Sequence, residues 1–126
     1  MSIARVLIVD DSKTSRKLLR NILEGADFEV IGEAGDGEEG WLMCKELSPD
    51  IVTMDITMPK MDGIESLSLI KRDNEDVKVI MISASGQREK MVEALKRGAD
   101  DFLVKPFDPD KVVRTLGDAA NGGDEG

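Results

Sequence analysis

Five polar side chains stand where short apolar runs end. Asp10 and Asp11 follow Val6-Leu7-Ile8-Val9, and Asp55 follows Ile51-Val52-Thr53-Met54. Ser83 follows the run from Val77 to Ile82, and Lys105 closes the run that opens at Asp101. Three carboxylates close together repel; at neutral pH they either raise a pKa or bind a cation. Oxygen ligands without His or Cys favour Mg2+ or a similar hard ion. Mg2+ keeps several waters and is usually held by one or two carboxylates plus a phosphate, so such a site calls for a phosphoryl ligand. Lys105 offers a mobile positive charge to one phosphoryl oxygen, and Ser83 offers a hydroxyl to another. The natural nucleophile in this set is a carboxylate, which would form an acyl phosphate.

Composition removes most other chemistry. The chain has no histidine, which excludes a Ser-His-Asp triad, a histidine metal cage and a histidine general base together. Its one cysteine, Cys44, cannot form an internal disulfide and reads as a small buried hydrophobe in a reducing cytosol. With 26 acidic against 17 basic residues, the net charge of -9 disfavours nucleic acid. The 126 residues suffice for one domain with its own core, and 40% hydrophobic with 34% charged residues is a globular balance. No apolar run approaches the roughly 20 residues of a membrane span. The N-terminus meets two aspartates before a signal peptide's apolar stretch is complete. The expected location is therefore the cytoplasm.

The elements that must position these residues alternate in kind. Apolar runs predict strands over 6–9, 28–34, 51–54, 77–82 and 101–105. The second is shorter of apolar residues and suggests a sheet edge. Helix-period segments follow each strand: 13–24, with Leu18, Leu19, Ile22 and Leu23 on one face; 37–47, with Trp41, Leu42 and Leu47 inward; and one from near Gly63, with Ile64, Leu67 and Ile70. A fourth covers 87–97, with Met91, Val92 and Leu95 inward, and a last begins at the cap Asp108 and Pro109, with Val112, Val113 and Leu116. Gly25 and Gly98 are plausible stops. Strands that are apolar throughout belong to a sheet covered on both faces. The fold class is thus α/β, a three-layer parallel sheet of five strands with five helices. In such sheets ligands bind beyond the carboxyl ends of the strands, where all five polar groups should emerge. Residues 121–126, Asn-Gly-Gly-Asp-Glu-Gly, are too polar to order and read as a frayed tail.

Read singly, these groups have ordinary explanations. Asp10 and Asp11 could cap a helix, and the basic face of the first helix reads as solvated. Gly35 to Gly40 fits G-x-G-x-x-G after a strand, as in dinucleotide sites. Asp36, Glu38 and Glu39 already answer that helix end and would repel a pyrophosphate.

Together, VLIVDDSKTS, VTMDITMPKMDG, VIMISASG and ADDFLVKPF resemble the receiver domain of two-component response regulators, over residues 3 to about 120 and in the same order. The likeness is to the stand-alone chemotaxis type. It implies the doubly wound strand order 2-1-3-4-5 and a receiver domain over 1–120. It implies that Asp55 is the phosphoacceptor, that Asp11 binds Mg2+ (or Mn2+) directly, and that Asp10 acts largely through water. It assigns the Thr57 backbone carbonyl to the metal, Ser83 to the switch hydroxyl, Lys105 to the phosphoryl group and Phe102 to the aromatic that swings inward. It also implies a cis Lys105-Pro106 bond, and a partner surface on the fourth helix, fifth strand and last helix, with Arg88, Met91, Phe102 and Phe107. A histidine kinase would donate the phosphoryl group, since this chain has no histidine. A protein such as the flagellar motor switch would be the target. No nucleic acid or membrane partner is expected, and the chain would be a monomer or weak dimer.

Two residues depart from the family pattern: Ser83 stands for Thr and Phe102 for Tyr, so the aromatic has no hydroxyl to offer a target. Thr57 and Ser85 flank the acceptor and are expected to tune the lifetime of the phosphorylated state. The alternatives are a Mg2+-dependent aspartyl-phosphate phosphohydrolase and a receiver of a relay unrelated to chemotaxis. Phosphohydrolases of the haloacid dehalogenase type need an acid two residues beyond the nucleophile; Ser12 and Lys13 stand here, and no cap domain is expected.

Overall fold

The structure is a computed structural model that describes residues 2–121. The remaining tail, 122–126, lies outside the described residues. The chain runs β1 (Arg5–Val9), α1 (Lys13–Glu24), β2 (Glu29–Ala34), α2 (Gly37–Leu47), β3 (Ile51–Asp55) and α3 (Gly63–Asp73). It continues through β4 (Lys78–Ser83), α4 (Arg88–Lys96), β5 (Asp101–Val104) and α5 (Pro109–Ala120). All pairings are parallel, in the order β2-β1-β3-β4-β5, so β2 is indeed an edge.

The strands are buried on both faces because each residue parity meets its own helical layer. Leu7, Val9, Val52, Met54, Val79 and Met81 pack with Cys44 of α2, Ile64, Leu67 and Ile70 of α3, and Met91 and Ala94 of α4. The other parity, Val6, Ile8, Ile51, Ile80, Ile82 and Leu103, packs with Leu19 and Leu23 of α1 and Val112 and Leu116 of α5. Register then decides which polar residues meet. Val9 pairs with Met54, so Asp10 and Asp55 come next on adjacent strands, on the α1/α5 parity. Ile82 pairs with Asp55, and Ser83 follows it on the opposite parity. Val104 pairs with Ser83, so Lys105 leaves β5 on the parity of Asp55.

Helix starts follow local capping chemistry. Ser12, Asp36, Asp62 and Asp108 each accept a backbone N–H of the first turn, and Pro109 fills the first turn of α5. Gly98, with φ of 107°, takes the left-handed turn after α4. Gly25 instead ends α1 in a right-handed conformation, and Asp27 adopts the positive φ.

The expected helix faces need four corrections. Leu18, Leu42, Val92 and Leu95 are exposed. In α2 the small residues Gly40 and Cys44 take positions against the sheet, where Gly40 lies too close for a larger residue, and α4 turns Met91 and Ala94 inward instead. A Cβ on Gly40 would sit 2.8 Å from both methyls of Val9. Gly37 and Gly40 of G-x-G-x-x-G therefore serve close packing. The donors at that helix start are consumed by Asp36, which accepts from Glu39 N–H, and by Glu39, which accepts from Gly35 N–H.

Candidate functional site

The β1 end is held from three sides. Asp10 N–H donates to the Ala34 carbonyl at 3.0 Å, Ser12 N–H donates to Asp10 Oδ1 at 2.8 Å, and Arg16 Nη1 donates to the Asp10 carbonyl at 2.6 Å. Ser12 caps α1, which leaves both aspartates free of that task. The β3 end is fixed by close approach. Gly63 N–H donates to the Ile56 carbonyl at 2.7 Å, and a Cβ at Gly63 would collide with the Asp55 carbonyl oxygen. Only glycine lets α3 start against the loop that carries Asp55.

This scaffold brings Asp10, Asp11 and Asp55 together. One carboxylate oxygen of each lies within 4.8 Å of the others; Asp10 and Asp55 are buried and Asp11 is exposed. Lys105 Nζ stands 2.9 Å from Asp10 Oδ2 and 3.5 Å from Asp55 Oδ2. The Lys105-Pro106 peptide that precedes the last helix is cis, as expected. Ser83 is buried at the end of β4, its carbonyl accepting Lys105 N–H at 2.9 Å.

Electrostatics follow the geometry. Burial is the main cause that pushes the Asp55 carboxyl up to about 6; the Asp10 charge adds to it and the Lys105 ammonium opposes it. Burial works against the Lys105 charge, but its pairs with Asp10 and Asp55 prevail and raise its pKa. One ammonium thus pairs with two of the three carboxylates, and the cluster keeps a surplus of negative charge. An all-oxygen, net-negative cluster of this size fits a hard divalent cation.

The other expected residues lie around this rim. Thr57 is exposed, and its hydroxyl accepts from Gln87 Nε2 at 2.8 Å. Ser85 is exposed. Phe102 is 37% exposed and faces the α4 side of the sheet with Val104; Val92 and Leu95 of α4 are also exposed. Arg88 is exposed, and Phe107 is partly buried against the α1/α5 core. Met91 departs from the expected surface: it is buried beneath α4 in the main core. Two further residues hold the site, and the sequence pattern passed over both. Arg16 was expected in a solvated face, yet it reaches the Asp10 carbonyl and pairs with Glu33 Oε1 at 3.0 Å. Gln87 spans from its own loop to Thr57. A helical period marks which way Arg16 points, but nothing in it marks a partner on β2.

With the geometry established, comparison places the chain. The profile of the response regulator receiver domain matches residues 6–117. The chain therefore belongs to the response regulator receiver family. It is 51% identical over 112 residues to the chemotaxis protein CheY of Thermotoga maritima, covering 89% of this chain and 93% of that one. It is 49% identical over 116 residues to CheY of Listeria monocytogenes, covering 92% and 98%. Among solved structures, the CheX–CheY–BeF3–Mg2+ complex of Borrelia burgdorferi superposes with a TM-score of 0.85 at 46% identity, over 89% of this chain and 85% of that one. The receiver is of the CheY type, a phosphorylation-activated signalling switch.

Proposed function

We propose that Asp55 is the phosphoacceptor of a chemotaxis response regulator that works with Mg2+. One observation carries this reading: the oxygens of Asp10, Asp11 and Asp55 lie within 4.8 Å of one another beside the Lys105 ammonium. Asp10, Asp11 and Asp55 would hold the ion, with the Thr57 carbonyl. Mg2+ or Mn2+, when bound, supplies positive charge against the crowded carboxylates and the phosphoryl oxygens.

An Asp55 carboxylate oxygen attacks the phosphorus of a kinase phosphohistidine. A P–O bond forms, the P–N bond breaks, and its electron pair stays on the imidazole, which takes a proton from water. Lys105 then balances the phosphoryl charge, and Ser83 donates its hydroxyl to a phosphoryl oxygen. Water later attacks the phosphorus, the P–O bond to Asp55 breaks, and inorganic phosphate leaves with the Asp55 carboxylate restored. The domain catalyses only its own phosphorylation and dephosphorylation. As Ser83 moves, Phe102 follows, and the face of α4, β5 and α5 changes for a downstream protein such as the flagellar motor switch. Arg88, Phe102 and Phe107 are the contact residues we assign to that face. The names of the relatives, which the chain spans nearly end to end, support the chemotaxis assignment. The receiver unit would span 1–120 and act in the cytoplasm; among the described residues no helix is long and apolar enough to cross a membrane.

The test is intact mass after incubation with acetyl phosphate. The chain should gain one phosphoryl group with Mg2+, and none with EDTA or in Asp55→Asn. Labelling that persists in Asp55→Asn overturns the acceptor assignment.

A further inference from the structure

The loop between β4 and α4 is held in an unusual way. Ala84, Ser85 and Gly86 are exposed, and a Cβ on Gly86 would meet nothing within 4 Å. Gln87 stands at the N-cap of α4, yet its side chain makes no cap bond to the helix. It turns back instead. Gln87 Oε1 accepts Ala84 N–H at 2.7 Å, and Gln87 Nε2 donates to Thr57 Oγ1 at 2.8 Å. The amide orientation is forced, because a backbone N–H can only donate and must face the oxygen. One side chain thus ties two loops thirty residues apart: the one after Asp55 and the one after Ser83. Helix α4 is otherwise lightly anchored, with only Met91 and Ala94 buried.

We propose that Gln87 is a positioning residue, a tether that holds the β4–α4 loop and the start of α4 in the resting arrangement and opposes the switch. The proposal rests on the reading of Asp55 and Ser83 given above. If Ser83 is drawn to the phosphoryl group, Ala84 moves with it, and both Gln87 bonds are strained or lost. A bond made in the resting arrangement alone is a cost of switching, so cutting it favours the switched form. A side-chain hydrogen bond of ordinary net worth corresponds to about 3- to 10-fold in that equilibrium.

The test titrates beryllofluoride, a phosphoryl mimic, into the Mg2+-loaded protein by calorimetry. The proteins are wild type, Gln87→Ala, Thr57→Val and the double variant. Gln87→Ala should bind about 3- to 10-fold more tightly, and the double variant no more tightly than Gln87→Ala alone. Unchanged or weaker binding by Gln87→Ala overturns the tether, as does a double variant whose gain is the product of the two single gains. Hydrogen exchange of the Ala84 amide gives a second measure. It should speed up in Gln87→Ala and return to the wild-type rate in Gln87→Glu, whose carboxylate still accepts. Equal exchange in all three overturns the tether. A wild type that binds no beryllofluoride with Mg2+, or an Asp55→Asn variant that binds as well as wild type, strikes the phosphoacceptor reading itself and the tether with it.

Discussion

Asp55 carries a cost in the resting protein. Its folded pKa of about 6 lies above the ordinary 3.8, so the folded form holds its proton more tightly than the unfolded chain. The favourable contribution is therefore complete below about pH 4 and lost as pH rises through 6. Asp55→Asn, without metal, should stabilise the fold at pH 8 by about 1–2 kcal/mol after allowance for solvent screening, with the gain gone near pH 4. Urea denaturation at the two pH values checks this. Thr53 raises a separate question on the same strand. It points into the α1/α5 core between Ile8 and Ile80, is 1% exposed, and its hydroxyl has no hydrogen-bond partner among the described residues. Thr53→Val keeps the shape and removes the orphan polar atom, so it should raise stability by about 1 kcal/mol, again by urea denaturation.

At the scale of elements, the β3–α3 junction is the tightest fit around the site. Gly63 begins α3 against the Asp55 carbonyl, and Asp62 caps the same turn by accepting Glu65 N–H at 2.9 Å. Gly63→Ala must push the helix away from the strand end. It should cost about 1–3 kcal/mol in thermal or urea unfolding and slow acetyl phosphate labelling, because Asp55 moves with that junction. Ser66 Oγ donates to the Gly37 carbonyl at 2.7 Å and Gly37 N–H donates to the Met61 carbonyl at 3.0 Å, so α2 is stitched to the same corner. Helix α4 contrasts with this. Its outward Val92 and Leu95 leave an apolar face beside Phe102 and Val104, on the side where the switch is proposed to act.

For the whole molecule, surplus negative charge at one rim should couple cation binding to stability. A ligand that binds only the folded form stabilises it by about 2.7 kcal/mol at 100 times its Kd. For a chain of this size that is a rise in Tm of roughly 10 °C. Mg2+ at that excess should produce it in a thermal melt, EDTA should reverse it, and Asp11→Asn should lose most of it.

Much of this was legible in the order of residues. Apolar runs such as Val6 to Val9 and helical periods such as Ile64, Leu67 and Ile70 are local signals, and chain-local sterics and burial suffice to turn them into strands and helices. Parallel strands end on a common rim, so Asp10, Asp11, Asp55, Ser83 and Lys105 could be grouped without coordinates. What escaped that reading depends on distance across the fold. The exposure of Leu42 follows from how closely α2 approaches the sheet at Gly40, and that of Leu18, Val92 and Leu95 from which face α1 and α4 turn inward once packed, Leu19 and Leu23 in one and Met91 and Ala94 in the other. The reach of Arg16 to Asp10 and Glu33, and of Gln87 to Thr57, joins residues whose separation along the chain bears no periodic relation to their contact. Hydrogen bonds of that kind are set by strand register and loop path, and they exist only once the layers have packed.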